Sequence, residues 1–144
     1  MLTDQKLQLL MTDLESDRVE RTTSTKDTDK FAIAICAFSN DYPNHRKPGY
    51  LLVSVRDDGH PSGLKVTDQL LQNLAGIRSD GNIQPLPAIT VQKYVLPQSQ
   101  GEVAVVEVLP SDLPPVRYKG QVWIRVGPRR AIANETEERR LSER

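Results

Sequence analysis

Residues 26–40 read KDTDKFAIAICAFSN, and their pattern decides the class of fold. From Phe31 onward, apolar side chains fall on nearly every face of a helical turn, which predicts a helix covered on all sides and therefore central. Asp27 or Thr28 stands where an N-cap belongs. Just upstream, RVERT (18–22) predicts a short strand. Downstream, the Pro, Asn and Gly of DYPNHRKPG (41–49) predict a loop, and YLLVSV (50–55) a buried strand. Cys36, the single cysteine, falls inside the apolar helix and reads as a buried structural thiol.

Working outward, Leu7, Leu10, Met11 and Leu14 recur at helical spacing after Thr3, predicting a helix over 4–14. VTDQLLQNLAGI (66–77) predicts another, capped by Thr67 or Asp68. ITVQKYVL (89–96) and EVAVVEVL (102–109) predict two strands joined by PQSQG, and VRY (116–118) with QVWIRV (121–126) a hairpin around Lys119 and Gly120. Asn134 and Glu137 have capping-box spacing ahead of a last polar helix. Helices early and strands late imply an α+β fold with a mixed, largely antiparallel sheet and three to four helices.

At 144 residues the chain reads as one domain, 1–144, large enough for a self-sufficient core. The last helix has neither a glycine cap nor a proline stop, which is compatible with the N-terminal part of a longer protein. The 38% hydrophobic and 26% charged fractions are those of an ordinary soluble protein. No apolar run approaches the roughly 20 residues of a membrane span, and no signal-peptide pattern opens the chain. A cytoplasmic location is expected.

The 19 basic and 19 acidic residues cancel, which argues against coating nucleic acid by bulk charge alone. The charge is patterned, however. PPVRYKGQVWIRVGPRR (114–130) holds five basic residues and no acidic one: Arg117, Lys119, Arg125, Arg129 and Arg130. Strand alternation puts Val122, Ile124 and Val126 on the core face, so Arg125 is expected to point outward or along a groove. With Arg46 and Lys47 in the loop, these residues form a candidate phosphate-contacting surface. The alternative is a solvated hairpin face paired with the acidic residues of NETEERRLSER.

VSVRDDGHPSGL (53–64) raises a second question. Asp57, Asp58 and Gly59 follow a strand, where Asp and Gly serve a turn for local reasons. Glu15 and Glu20, five residues apart, could approach that turn through a sheet. Clustered carboxylates repel unless a cation such as Mg²⁺ or Mn²⁺ compensates, and such a centre can activate water against a phosphodiester.

ESDRVE, AICAFSN, LLVSVRDDGHPSGL and PPVRYKGQVWIRVGPR, in that order, resemble the successive blocks of the Schlafen AlbA-like domain. The resemblance spans Glu15 to Arg140. It implies an α+β fold and a DNA-binding domain of bacterial transcriptional regulators, where the domain usually precedes further segments. In eukaryotic Schlafen proteins, two Glu five residues apart and an Asp in the DDG-like turn form a metal-dependent endoribonuclease site. By motif position the resemblance carries those roles to Glu15, Glu20 and Asp57 or Asp58. The family's Glu-Phe-Lys step is Glu20-Arg21-Thr22 here, and a homodimer would have to supply the second half of the two-domain cradle of active members.

The sequence therefore favours a nucleic-acid-binding domain, DNA ahead of RNA, that contacts mainly the phosphate backbone. Its rivals are a metal-dependent endoribonuclease acting on structured RNA and a module for self-association or partner binding. No recognition-helix signature and no GxxxxGK[ST] phosphate loop are present.

Overall fold

The computed structural model describes residues 2–13, 16–97 and 101–144. Within them four helices and eight strands follow in the order α1 (Asp4–Thr12), β1 (Val19–Thr22), α2 (Thr28–Asn40), β2 (Gly49–Val53), α3 (Asp68–Gly76), β3 (Ile83–Gln84), β4 (Ala88–Val95), β5 (Glu102–Leu109), β6 (Arg117–Tyr118), β7 (Gln121–Val126), β8 (Arg129–Ile132) and α4 (Glu135–Ser142). None of these helices is long and apolar enough to cross a membrane.

Helix α2 is the centre of the fold. Asp27 caps it by accepting from the Lys30 N–H at 3.1 Å, and every residue from Phe31 to Asn40 is buried. The reason is that α2 packs against two sheets, touching β2 and β5 of one and β6 and β7 of the other. An ordinary one-sided stripe would leave half of that contact polar. Phe31 and Ile35 are fully enclosed, each contributing about 1.5–3 kcal/mol of transfer free energy.

The first sheet has the order β1-β2-β5-β4. β1 and β2 are parallel, with α2 as the crossover between them, and the other pairings are antiparallel. β2 is buried along its whole length. Leu51 and Val53 face the α2 cluster, while Tyr50 and Leu52 face Leu7 and Met11 of α1. Burial on both faces accounts for the unbroken apolar run YLLV. The strand ends at Val53, earlier than the sequence pattern suggests. Ser54, at φ +75°, turns its backbone so that the N–H groups of Ser54 and Val55 both reach Thr22 O.

The second sheet, β3-β6-β7-β8, is antiparallel throughout. Its strands β3 and β8 were not legible in the sequence. β8 returns from β7 through the two-residue turn Gly127-Pro128, with Val126 paired to Arg129. Gly127 takes φ +60°, the left-handed conformation that the first central position of such a turn needs. Asn134 and Glu137 form the expected capping box on α4. α4 then buries Leu141 against Val122 and Ile124.

Two polar residues join the layers. The Asn40 side chain is 1% exposed. Its Nδ2 donates to Val116 O (2.9 Å) and Trp123 O (2.7 Å), and its Oδ1 accepts from Val116 N (2.6 Å). At the chain end, the Arg144 guanidinium donates to the carbonyls of Asn40, Asp41 and Tyr42, covering the C-terminus of α2. Cys36 donates its thiol to Val116 O at 3.3 Å, and burial pushes its pKa up to about 11. It is an unreactive thiol at neutral pH.

Candidate nucleic-acid interface

Arg125 corrects the expectation drawn from strand alternation. It does not point outward: the residue is 3% exposed. Its Nη1 donates to Glu20 Oε1 at 2.6 Å, its Nε to Asp17 O, and its Nη2 to Val19 O and Pro128 O. The guanidinium also lies 5.0 Å from the centre of the Phe38 ring. β7 is covered on both faces, by α4 on the side of Val122 and Ile124 and by α2 and β1 on the side of Trp123 and Arg125. Val126, expected in the core, is exposed instead. Burial lowers the Arg125 pKa, and the Glu20 carboxylate beside it offsets part of that shift.

Glu20 of this pair lines a groove. Glu20 and Arg21 come from β1, Lys30 from the first turn of α2, and Pro128, Arg129 and Arg130 from the β7–β8 turn. Register places Arg130 directly across from Arg125, so the turn is fastened to β1 through Arg125. Arg21 spends its donors on the end of α1, at Leu10 O, Met11 O and Asp13 O. Lys30, Arg129 and Arg130 form no ion pair among the described residues. Glu20 Oε1 is neutralised by Arg125, while Glu20 Oε2 is buried without a described partner. Positive charge therefore dominates the groove, with one carboxylate oxygen at its base.

The other expected basic residues lie elsewhere. Arg117 and Lys119 sit toward the opposite end of β7 from Arg129 and Arg130: Arg117 pairs with Val122, whereas Arg130 and Arg129 pair with Arg125 and Val126, a separation of roughly 10–13 Å along the strand for Arg117 and more for Lys119. There Arg117 pairs with Glu138 of α4 at 2.8 Å, and Lys119 lies 5.3 Å over the Tyr118 ring. Arg46 and Lys47 belong to the loop after α2. Arg46 adopts φ +58° with its N–H on Asp41 Oδ2, and it lines a separate surface with Asn44 and Arg144. Lys47 lines another with Asp17, His45 and Arg125. His45 in the same loop meets Asp17 at 2.8 Å. The expected basic residues are thus divided among four separate patches. Nothing in the local sequence of Arg21 and Lys30 links them to Arg129 and Arg130.

The DDG segment has a local role that the geometry explains in full for two of its residues. Gly59 N donates to Arg56 O, closing a four-residue turn with Asp57 and Asp58 at its centre. Asp58 Oδ1 accepts from His60 N and lies near Arg56 and His60 side chains. The backbone bond from His60 is the main cause of its lowered pKa. Gly59, at φ +89°, packs so tightly on α1 that an added Cβ would lie 2.5 Å from Met11 O. Burial lowers the Arg21 pKa, and the nearby carboxylates of Asp13 and then Asp57 offset part of that shift. Gly59→Ala should therefore lower stability by about 1–3 kcal/mol, whereas Asp58→Asn, which keeps the same acceptor, should stay close to wild type. Urea titration of both variants checks the contrast.

The sequence profile described as Schlafen, AlbA_2 matches residues 15–134. The chain belongs to this Schlafen AlbA_2 family. Its α+β fold also matches solved structures, among them the crystal structure of the DIP2311 protein from Corynebacterium diphtheriae. That match has a TM-score of 0.55 and 16% identity, and covers 84% of this chain. It spans only 26% of the DIP2311 chain. No curated protein matches. Schlafen AlbA_2 domains are nucleic-acid associated, and the groove above is where this member concentrates unpaired positive charge. Of the carboxylates that the family resemblance marks, Glu15 lies outside the described residues. Glu20 is held by Arg125 and Asp58 by its own turn. Among the described residues, no three His, Cys, Asp or Glu side chains are grouped as a metal ion would require.

Proposed function

We propose that this domain binds nucleic acid, duplex DNA ahead of RNA, through its phosphate backbone in the groove between β1, α2 and the β7–β8 turn, as part of a transcriptional regulator. The supporting observation is that Lys30, Arg129 and Arg130 share one groove without a carboxylate partner of their own. Phosphate oxygens are the acceptors such a surface lacks. Glu20 at the floor is already compensated by Arg125 and does not cancel them. Arg117, Lys119, Arg46 and Lys47 lie on other patches, so they add to long-range attraction rather than to one contact surface.

Binding of this kind is salt-dependent, with a log–log slope of about 0.9 per phosphate contact on duplex DNA. Replacing both Arg129 and Arg130 with alanine should flatten the slope by up to about 1.8 and weaken binding across sequences alike. An unchanged slope and affinity would remove the turn from the interface. The control Lys47→Ala, on another patch, should leave the slope nearly unaltered.

The second reading, a metal-dependent endoribonuclease, draws on Glu20 Oε2, a buried oxygen with no described partner at the base of the same groove. One experiment separates the two readings. The chain is incubated with labelled duplex DNA, single strands and tRNA, with Mn²⁺ or with EDTA, and retention and cleavage are measured together. Salt-sensitive retention without cutting is the expected result. Cutting that requires Mn²⁺ and is lost in Glu20→Gln would replace the binding reading with the nuclease.

A further inference from the structure

Sheet edges expose unpaired N–H and C=O groups, and folded proteins guard them with short strands, charges or covering side chains. Three of the four edges here carry such a device. At β1 the Arg125 guanidinium occupies the carbonyls of Asp17 and Val19. In the second sheet β3 is only two residues long, and β8 opens with Arg129 and Arg130. β4 differs. It is an eight-residue strand, AITVQKYV, without proline, and no strand lies on its outer side among the described residues. Its one charge, Lys93, is drawn to Glu102 of its own hairpin at 3.5 Å. Beside it stand exposed apolar side chains: Val95 is 63% exposed, Leu86 50% and Leu109 46%.

We propose that β4 is a self-association edge, on which β4 of a second copy pairs antiparallel about a two-fold axis. Leu96 N donates to Gly101 O within the hairpin. By the alternation of an antiparallel ladder, Ile89, Val91, Lys93 and Val95 then turn their backbone groups outward. A two-fold axis at Gln92 sets Ile89 opposite Val95 of the second copy, Thr90 opposite Tyr94 and Val91 opposite Lys93. Each apolar end finds an apolar partner, and the two Lys93 side chains do not face each other, where like charges would destabilise the pair. The zero net charge of the chain adds no long-range repulsion between copies. The product is a continuous eight-stranded sheet with β1, and with it the basic groove, at each far end.

Light scattering after size exclusion, over a range of protein concentrations, tests this. Wild type should shift from a one-chain to a two-chain mass as concentration rises. Val91→Pro removes an outward N–H while leaving the β5 ladder, and Val95→Lys places a charge opposite Ile89 at an exposed position. Both should weaken association by roughly tenfold or more, with circular dichroism confirming the fold. Gln92→Cys should form an intermolecular disulfide on oxidation, across the axis. A one-chain mass at the highest attainable concentration, or a two-chain mass that survives both edge substitutions, would overturn the proposal. It does not rest on the groove: the monomeric variants should keep wild-type binding to a short duplex.

Discussion

Arg125→Met should cost about 3–5 kcal/mol of stability, the range for removing one partner of a buried ion pair. The substitution keeps the apolar bulk over Phe38 but leaves the Glu20 carboxylate, only 13% exposed, without its counter-charge. The carbonyls of Asp17, Val19 and Pro128 lose a donor as well. Glu20→Gln should cost distinctly less, because Arg125 then keeps its three carbonyl acceptors and the ring, and the amide can still accept from it. The double variant Glu20→Gln, Arg125→Met should recover part of the loss, since no charge is then left uncompensated. Guanidinium denaturation of the three variants measures the asymmetry. Equal costs for the two single variants would mean that the ion pair, and not the clamp on backbone carbonyls, carries the effect. Because Arg125 also fastens the β7–β8 turn to β1, the folded fraction of Arg125→Met should bind nucleic acid with a flatter salt slope, as Arg129 and Arg130 lose their fixed position.

Asn40→Ala is the second large effect, again about 3–5 kcal/mol. The side chain satisfies Val116 N, Val116 O and Trp123 O from one buried position, and each polar group left unpaired inside costs about 1–3 kcal/mol. Val116 O keeps the weak thiol bond from Cys36, which trims the total. Asn40→Asp retains the acceptor for Val116 N but turns a carboxylate toward two carbonyls, so it should not rescue. Thermal unfolding followed by circular dichroism would show both variants well below wild type. A loss under about 1 kcal/mol for the alanine variant would mean that the second sheet is held to α2 by apolar packing alone.

These two residues mark the line between what was legible in the chain and what was not. The helices could be read because their signals are local. Asp27, Thr67 and the Asn134–Glu137 box cap within three residues of their targets, and the all-round apolar pattern of 31–38 announced a helix with protein on every side. The strands were mostly legible for the same reason, and the order of blocks placed the chain in its family. Glu20 and Arg125 are different. They are 105 residues apart in sequence, and period-two alternation reports which side chains are polar, not whether a polar one will meet a partner in the interior. An arginine between apolar residues reads as outward-facing until the fold brings a carboxylate and three carbonyls to it.

The sequence by itself therefore determined the α+β class, the central helix, its caps and the family, because each depends on spacing within a few residues. Only the tertiary structure decided that the second sheet closes over α2, that Arg125 turns inward, and that the basic residues divide into separate patches of which one gathers Arg21, Lys30, Arg129 and Arg130. Those outcomes depend on pairings between distant strands, where free energy is set by mutual burial and hydrogen-bond satisfaction that no local pattern encodes.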